Sequence, residues 1–431
     1  MDKNTSLVAV LVLGLLVGGG VGYYAAPPQI EETVVTNTVN VEILPLDGKN
    51  IQIGYLTTTQ ALETARPWYS EIETDMNSYA AKLGYDVTFQ YLVDDDQNQA
   101  AIHLEKVQGF HSIGVDRVVN AGGSSKVAAS MGYMNENNMI LWSETSTSPI
   151  ISVPDDCLFR MIPNDLVQAP AIAKMLWTYG IKACIFVHVA NAWGDGIYNI
   201  LNLEYAKYGG IELEHIRFAI ETQEFSTYLQ AAEEALGPAI EEYGAEHVAM
   251  HFVAGTPIVT WLSQANNFPL CDSVTWFGSD GEVLLQQMID DAPDAAMKHK
   301  VISTGPIPGS SKKWQDLSDR YFDLLALPLG HGYTNGYDIA MVLMKTMLEA
   351  QSEDPSDIIP LQIPTCYDYF GASGWCRLDE SGDRAGVDYN LWGVKEVNGE
   401  PTFVVYGIFN FLTDEILWDT EMLGFVPEPP E

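Results

Sequence analysis

Two short loops dense in hydroxyl groups and backbone donors are the first places in this chain where chemistry could happen. AGGSS at 121–125 follows one short apolar run, and SETSTSP at 143–149 follows another. Hydroxyls beside the free N–H groups that open a helix make an anion site, strengthened by the local dipole. Strand-to-helix turns capped by Ser and Thr have the same composition, so both readings stand for each loop. A third turn, GSDG at 278–281, carries Asp280. A carboxylate buried there would demand a cationic partner, because an unpaired buried charge is costly. An ordinary turn aspartate fits the local sequence equally well.

Other reactive constellations do not assemble. The chain has no GxxxxGK[ST] phosphate loop, no HExxH and no GxSxG, which leaves hydrolytic or nucleotide chemistry without its usual parts. His247 and His251 fall on one face of a strand with no general base beside them, and read as buried or edge histidines rather than a metal pair. Asp94, Asp95 and Asp96 could hold a cation, but read as a solvated loop at a strand end. No catalytic residue, metal or cofactor is expected.

The elements that would position these loops alternate regularly. IQIGYL at 51–56 is a strand-length apolar run, and Trp68, Ile72, Met76, Tyr79 and Ala80 then recur at helical spacing. DVTFQYLV alternates as a strand does, and DRVVNA and MILWS follow with helical stretches between. This rhythm implies a parallel sheet with right-handed crossovers and ligand loops at the carboxyl ends of the strands. A second copy begins where Asp165 and Gln168 read as the N-cap and N3 residues of a capping box. It continues through ACIFVHV, IELEHIRFAI, HVAMHFVA and SVTWFG. Segments near Phe159–Pro163 and Thr304–Gly309 have the Pro and Gly content of crossings between lobes. The expected fold is α/β: two doubly wound parallel-sheet lobes joined by a multi-strand hinge. Lobe 1 takes 50–163 and 305–375, and lobe 2 takes 164–304 and 376–431.

Composition bounds the setting. Lys and Arg number 21 against 58 Asp and Glu, a net charge of −37, so nucleic acid and anionic lipid would repel the chain. Residues 6–25 are uncharged and apolar, long enough to cross a bilayer core of roughly 30 Å as a helix. Lys3 precedes them and Glu31 and Glu32 follow, which places the N-terminus inside and the rest outside. Residues 1–26 are therefore expected to form an N-terminal transmembrane helix that anchors the protein, with a cleaved signal as the alternative. Residues 27–49 read as a linker. The cysteine count is five, too few for a disulfide scaffold. Cys366 and Cys376 bracket a turn-rich stretch that is expected to close as a small disulfide loop, with two buried thiols as the alternative.

These segments, taken in order, resemble the type I periplasmic binding proteins, in particular the branched-chain amino acid, amide and urea binding subgroup of ABC importers. LVDDDQNQAAIHLEKV, VVNAGGSSKVAAS, SETSTSP, LFRMIPNDLVQAPAIA, HVANAWGDGI, WFGSDG and NGYDIAMVL occur in the family's order between about Ile51 and Gly407. The resemblance implies that Ser124, Thr145 and Thr147 hold the carboxylate end of a ligand. It implies that Asp280 receives the ligand's ammonium from the second lobe, and that Trp193 packs on the bound solute. Thr58 and Gln60 follow the first strand where the family often has another contact, and Gly255 and Thr256 would line the second wall. Trp193 replaces the family's common Tyr, and TTTQALETA replaces its Gly-rich start, which leaves side-chain specificity open. The implied function is capture of a small polar solute, foremost an amino acid, by an extracellular protein that docks on an ABC permease. Amide or urea binding, a receptor module within a sensory complex, and an amide hydrolase are the alternatives.

Overall fold

The computed structural model describes residues 44–430. The expected transmembrane helix lies outside them, and no helix among the described residues is long and apolar enough to cross a membrane. Five strands build the first sheet: β1 (Lys49–Thr57), β2 (Val87–Asp95), β3 (Arg117–Asn120), β4 (Ile140–Ser143) and β5 (Leu158–Arg160). Their order is β2-β1-β3-β4-β5, and every pairing is parallel. The helix Leu62–Lys82 buries Ala65, Trp68, Tyr69, Ile72, Met76 and Ala80, the stripe its periodicity predicts.

The second sheet contains β6 (Ala183–Val189), β7 (Ile211–Phe218), β8 (Val248–Val253), β9 (Thr275–Gly278) and β10 (Ile302–Pro306). All residues of β6 and β8 are buried, as in a sheet covered on both faces. Beyond a short hairpin of β11 (Phe370–Gly371) and β12 (Gly374–Trp375), the chain adds β13 (Tyr389–Val397), β14 (Glu400–Asn410) and β15 (Glu415–Trp418). These join as an antiparallel meander, giving the order β15-β14-β13-β10-β9-β8-β6-β7. The second sheet is thus mixed rather than purely parallel. The change of direction comes at the long-range antiparallel pairing of β10 with β13, and within the meander Asn398 and Gly399 adopt φ +56° and +88°, the pair of positive values the tight β13–β14 hairpin requires.

Helices Lys312–Leu325, His331–Ala350 and Pro355–Tyr367 return to the first sheet and share its core with Trp68, Tyr69 and Trp142. The crossings between the sheets run side by side. Arg160 pairs with Asp383 as a parallel bridge, and Ile307 N donates to Asp388 O at 3.0 Å. The Arg160 guanidinium is wholly buried and bonded to both Asp383 oxygens. It also donates to Ser146 O and Ser148 O at 3.1 and 2.8 Å, so the crossing anchors the SETSTSP loop. Full pairing is what makes a buried charge tolerable.

Four local expectations are corrected. Helix Asp165–Tyr179 is capped by Asn164, whose side chain accepts from Leu166 N at 2.9 Å; Asp165 is the first helical residue and Gln168 faces another element. His247 lies in a 3-10 turn ahead of β8, while His251 is inside that strand, so the two do not share a strand face. Asp96 is buried rather than solvated, held by His103 Nδ1 at 3.1 Å and Lys126 Nζ at 2.7 Å. The expected disulfide is not formed: Cys366 and Cys376 are free and buried. The stretch between them closes by backbone pairing of β11 with β12 and by Trp375 Nε1 donating to Tyr367 O at 2.7 Å. Cys376 Sγ packs instead beside Asp338 Oδ2 at 3.7 Å.

Candidate functional site

The two hydroxyl-rich loops leave the carboxyl ends of β3 and β4 and are laced together. Ser146 Oγ donates to Gly122 O at 2.7 Å, Asn120 Nδ2 reaches the same oxygen at 2.6 Å, and Thr145 Oγ1 donates to Ala121 O at 3.0 Å. Ser124 Oγ accepts from Ser148 N at 3.1 Å, so this hydroxyl braces the loops. From the first sheet the loop reaches directly onto the second half. Ser148 Oγ donates to Ala192 O at 2.7 Å, and a Cβ at Gly196 would stand 2.9 Å from Ser148 Oγ and 3.0 Å from Pro149 Cδ. The halves are in contact across the cleft.

On the second side, Asp280 opens a 3-10 turn after β9. Glu282 holds this turn: one carboxylate oxygen accepts from Ser279 N at 2.8 Å, the other from Ala254 N and Gly255 N at 2.8 and 2.6 Å. Burial pushes Glu282 up to about 7 against those donors and the Ser279 hydroxyl, and the bonds fix the Asp280 turn beside Gly255. Trp193 lies over the same turn, since a Cβ at Gly281 would meet its Cη2 at 2.4 Å. Asn191 Oδ1 accepts from Trp193 N and Gly194 N at 3.0 and 2.9 Å and so caps the helix that carries the indole.

Between these walls sit two carboxylates. Gln168 Nε2 donates to Asp280 Oδ1 at 3.1 Å and to Thr304 Oγ1 at 3.0 Å. Asp165 N donates to Thr147 O at 2.8 Å, which places the Asp165 side chain by the Thr147 hydroxyl and near Asp280. Burial first, then the Asp280 charge, hold the Asp165 carboxyl well above the usual range; Thr147 and Arg160 oppose the shift. Burial pushes Asp280 up to about 6, opposed by donors from Gln168 and Trp193. Tyr389, buried on β13, feels both charges. Both Asp165 oxygens, Thr147 Oγ1 and the Tyr389 hydroxyl are buried with no full hydrogen bond inside the protein. Chemically, such an arrangement can accept a group that donates several hydrogen bonds and carries positive charge.

Next to it a cavity of about 310 Å³ is walled by Thr58, Glu144, Thr145 and Tyr333 from the first half and by Val283 and Leu284 from the second. Its size falls at the small end of ligand sites. Of the expected site residues, Thr147, Asp280 and Trp193 converge on the carboxylate cluster, while Thr58 and Thr145 line the cavity. Ser124 lies beneath the loops, and Gln60 and Thr256 are exposed and line neither place. Sequence reasoning missed Asp165, Gln168, Tyr389 and Glu144. Asp165 and Gln168 stand in a segment whose local pattern is that of helix caps, and nothing local distinguishes Tyr389 or Glu144.

The sequence pattern of the periplasmic binding protein family matches residues 54–360. An uncharacterised protein of Methanocaldococcus jannaschii is 26% identical over 426 residues, covering 94% of this chain and 99% of that one. Among solved structures, a leucine binding protein, LivK, of Thermotoga maritima superposes with a TM-score of 0.70 at 18% identity, over 84% of this chain and 99% of that one. A solute binding protein of an ABC transporter from Rhodopseudomonas palustris, in complex with 3,4-dihydroxybenzoic acid, reaches 0.67 at 16% identity over 85% and 98%.

Proposed function

Since the chain belongs to the periplasmic binding protein family, the solute-binding components of ABC transporters, we propose that its cleft captures an amino acid. The observation that carries this reading is the cluster of buried oxygens on Asp165, Thr147 and Tyr389 beside Asp280, which have no good-geometry donor or acceptor outside the cluster. An α-ammonium group donates three hydrogen bonds and neutralises the mutual repulsion of the two carboxylates. Ligand contact then favours the arrangement in which Thr147 and Asp280 flank Asp165, since a solute held there touches both halves. The ligand carboxylate falls to the Thr145 and Thr147 N–H groups, which the loop bonding leaves over, with Thr145 in the cavity wall. An aromatic acid lacking an ammonium group would bring a further negative charge to two carboxylates, which disfavours it.

The solute is handed to a membrane permease on the outer face of the cell, and the apolar stretch at 6–25 tethers the protein there. Binding without turnover is the activity this reading assigns to the cleft, in keeping with the family's role in solute capture. A thermal-shift screen of the amino acids, with urea, small amides and 3,4-dihydroxybenzoate alongside, tests the reading. A true ligand at 100 times its Kd adds about 2.7 kcal/mol of stability. Stabilisation by urea, amides or the aromatic acid alone, or turnover of an amide, would overturn it.

A further inference from the structure

The cavity wall contains an acid that the ammonium site does not use. Glu144 follows the last residue of β4, is 1% exposed, and lines the 310 Å³ cavity. The Tyr69 hydroxyl donates to one of its oxygens and the Tyr55 hydroxyl to the other at 3.3 Å. Asn335 Nδ2 fixes its backbone oxygen at 2.9 Å. Helix His331–Ala350 closes directly over the carboxyl, for a Cβ at Gly336 would stand 2.1 Å from Oε1. No cation is among the groups that act on it; burial pushes it up to about 8, and only the two phenols oppose. The other groups facing it are Tyr91 on β2, Tyr321 on helix Lys312–Leu325, and Tyr333 on the helix above, all phenols held above their ordinary range by burial. His331, in the same wall, is driven down to about 4 by burial and is uncharged at neutral pH.

A carboxyl rigidly cradled in a ligand cavity without a counter-ion keeps its proton until something cationic arrives, because its charge would otherwise be buried unpaired. The rest of the wall suits an aliphatic stem: Ala61 and Ala121 stand on one side, Val283 and Leu284 on the other. We propose that Glu144 is a specificity-determining residue that receives a second cationic group, the ammonium or guanidinium of a basic amino acid side chain. This rests on the amino-acid reading above, with Asp165 and Asp280 taking the first ammonium. Methylene stems of Lys or Arg type pack on apolar surface while their heads seek a charge, and this cavity offers that combination. Binding also draws the Glu144 proton off, so uptake at pH 7 releases protons from this carboxyl as well as from the cluster around Asp165.

Calorimetric titration of the full chain at pH 7 with L-lysine, L-arginine, L-ornithine and L-leucine tests this, run in two buffers of different ionisation enthalpy. At least one basic amino acid is expected to bind about 30-fold or more tighter than leucine, the scale of one enclosed charge pair. Glu144→Gln is expected to erase that preference and reduce the protons released, while leucine binding stays or improves. Leucine binding at least as tightly as every basic probe would overturn the inference and leave the amino-acid reading intact. No binding of any amino acid would overturn both. Should the Glu144→Gln chain fail to fold, the ligand preference of the unaltered chain still decides the matter.

Discussion

Replacing Asp280 by Asn should move stability and affinity in opposite directions. In the unliganded protein, the carboxyl has risen from 3.8 to about 6, so the folded chain holds a proton more tightly than the unfolded one. Stability therefore falls as pH climbs from about 4 to about 6, and the full penalty stands above that. The shift corresponds to at most about 3 kcal/mol, and to about 1 to 2 kcal/mol once the partial exposure of Asp280 is allowed for. Asparagine keeps the oxygen that accepts from Gln168 Nε2 but not the charge, and its neutrality also relieves Asp165. The unliganded variant should then be more stable by that amount at pH 7, and its melting temperature should depend less on pH between 4 and 6. With ligand the balance reverses, because the ammonium loses a charged partner. The expected loss is about 2 to 5 kcal/mol, a rise in Kd of about 30- to 5,000-fold. Thermal melts across pH and calorimetric titration read both effects. A variant that melts below the unaltered chain and binds its amino acid equally well would refute the electrostatic argument.

Asp383→Ala should cost about 3 to 5 kcal/mol in urea unfolding, since it strands the buried Arg160 guanidinium. The double replacement Arg160→Met with Asp383→Leu should recover much of that loss. Gly281→Ala drives a methyl to 2.4 Å from the Trp193 ring, so about 1 to 3 kcal/mol of stability should be lost, with ligand affinity falling alongside. All five cysteines are free, so each should react with a thiol reagent in denaturant without reductant. A count two lower would show that Cys366 and Cys376 are bridged.

Hydrophobic period carried the broad outline. Runs such as ACIFVHV and VAMHFV have the length and β-branched content of covered strands, and the Trp68, Ile72, Met76 spacing is that of a helix face, because those patterns depend on neighbours a few residues away. The Asn398–Gly399 turn is legible in the same local way and marks the β13–β14 hairpin, an antiparallel signal within the parallel rhythm that the sequence carries at short range. The positions of AGGSS, SETSTSP and GSDG at strand ends were legible too, and with them the general location of a cleft. Which side chains meet in that cleft was not. Asp165 looks like a helix cap until the crossing at Arg160 brings it to Thr147 and Asp280, and Tyr389 joins them from a distant strand. Glu144 looks like one more polar residue in a loop until helix His331–Ala350 closes over it. Charge in a cavity is a property of what surrounds it, contributed by segments far apart in the chain, so only the tertiary structure decides whether an acid is solvated, paired or waiting for a ligand.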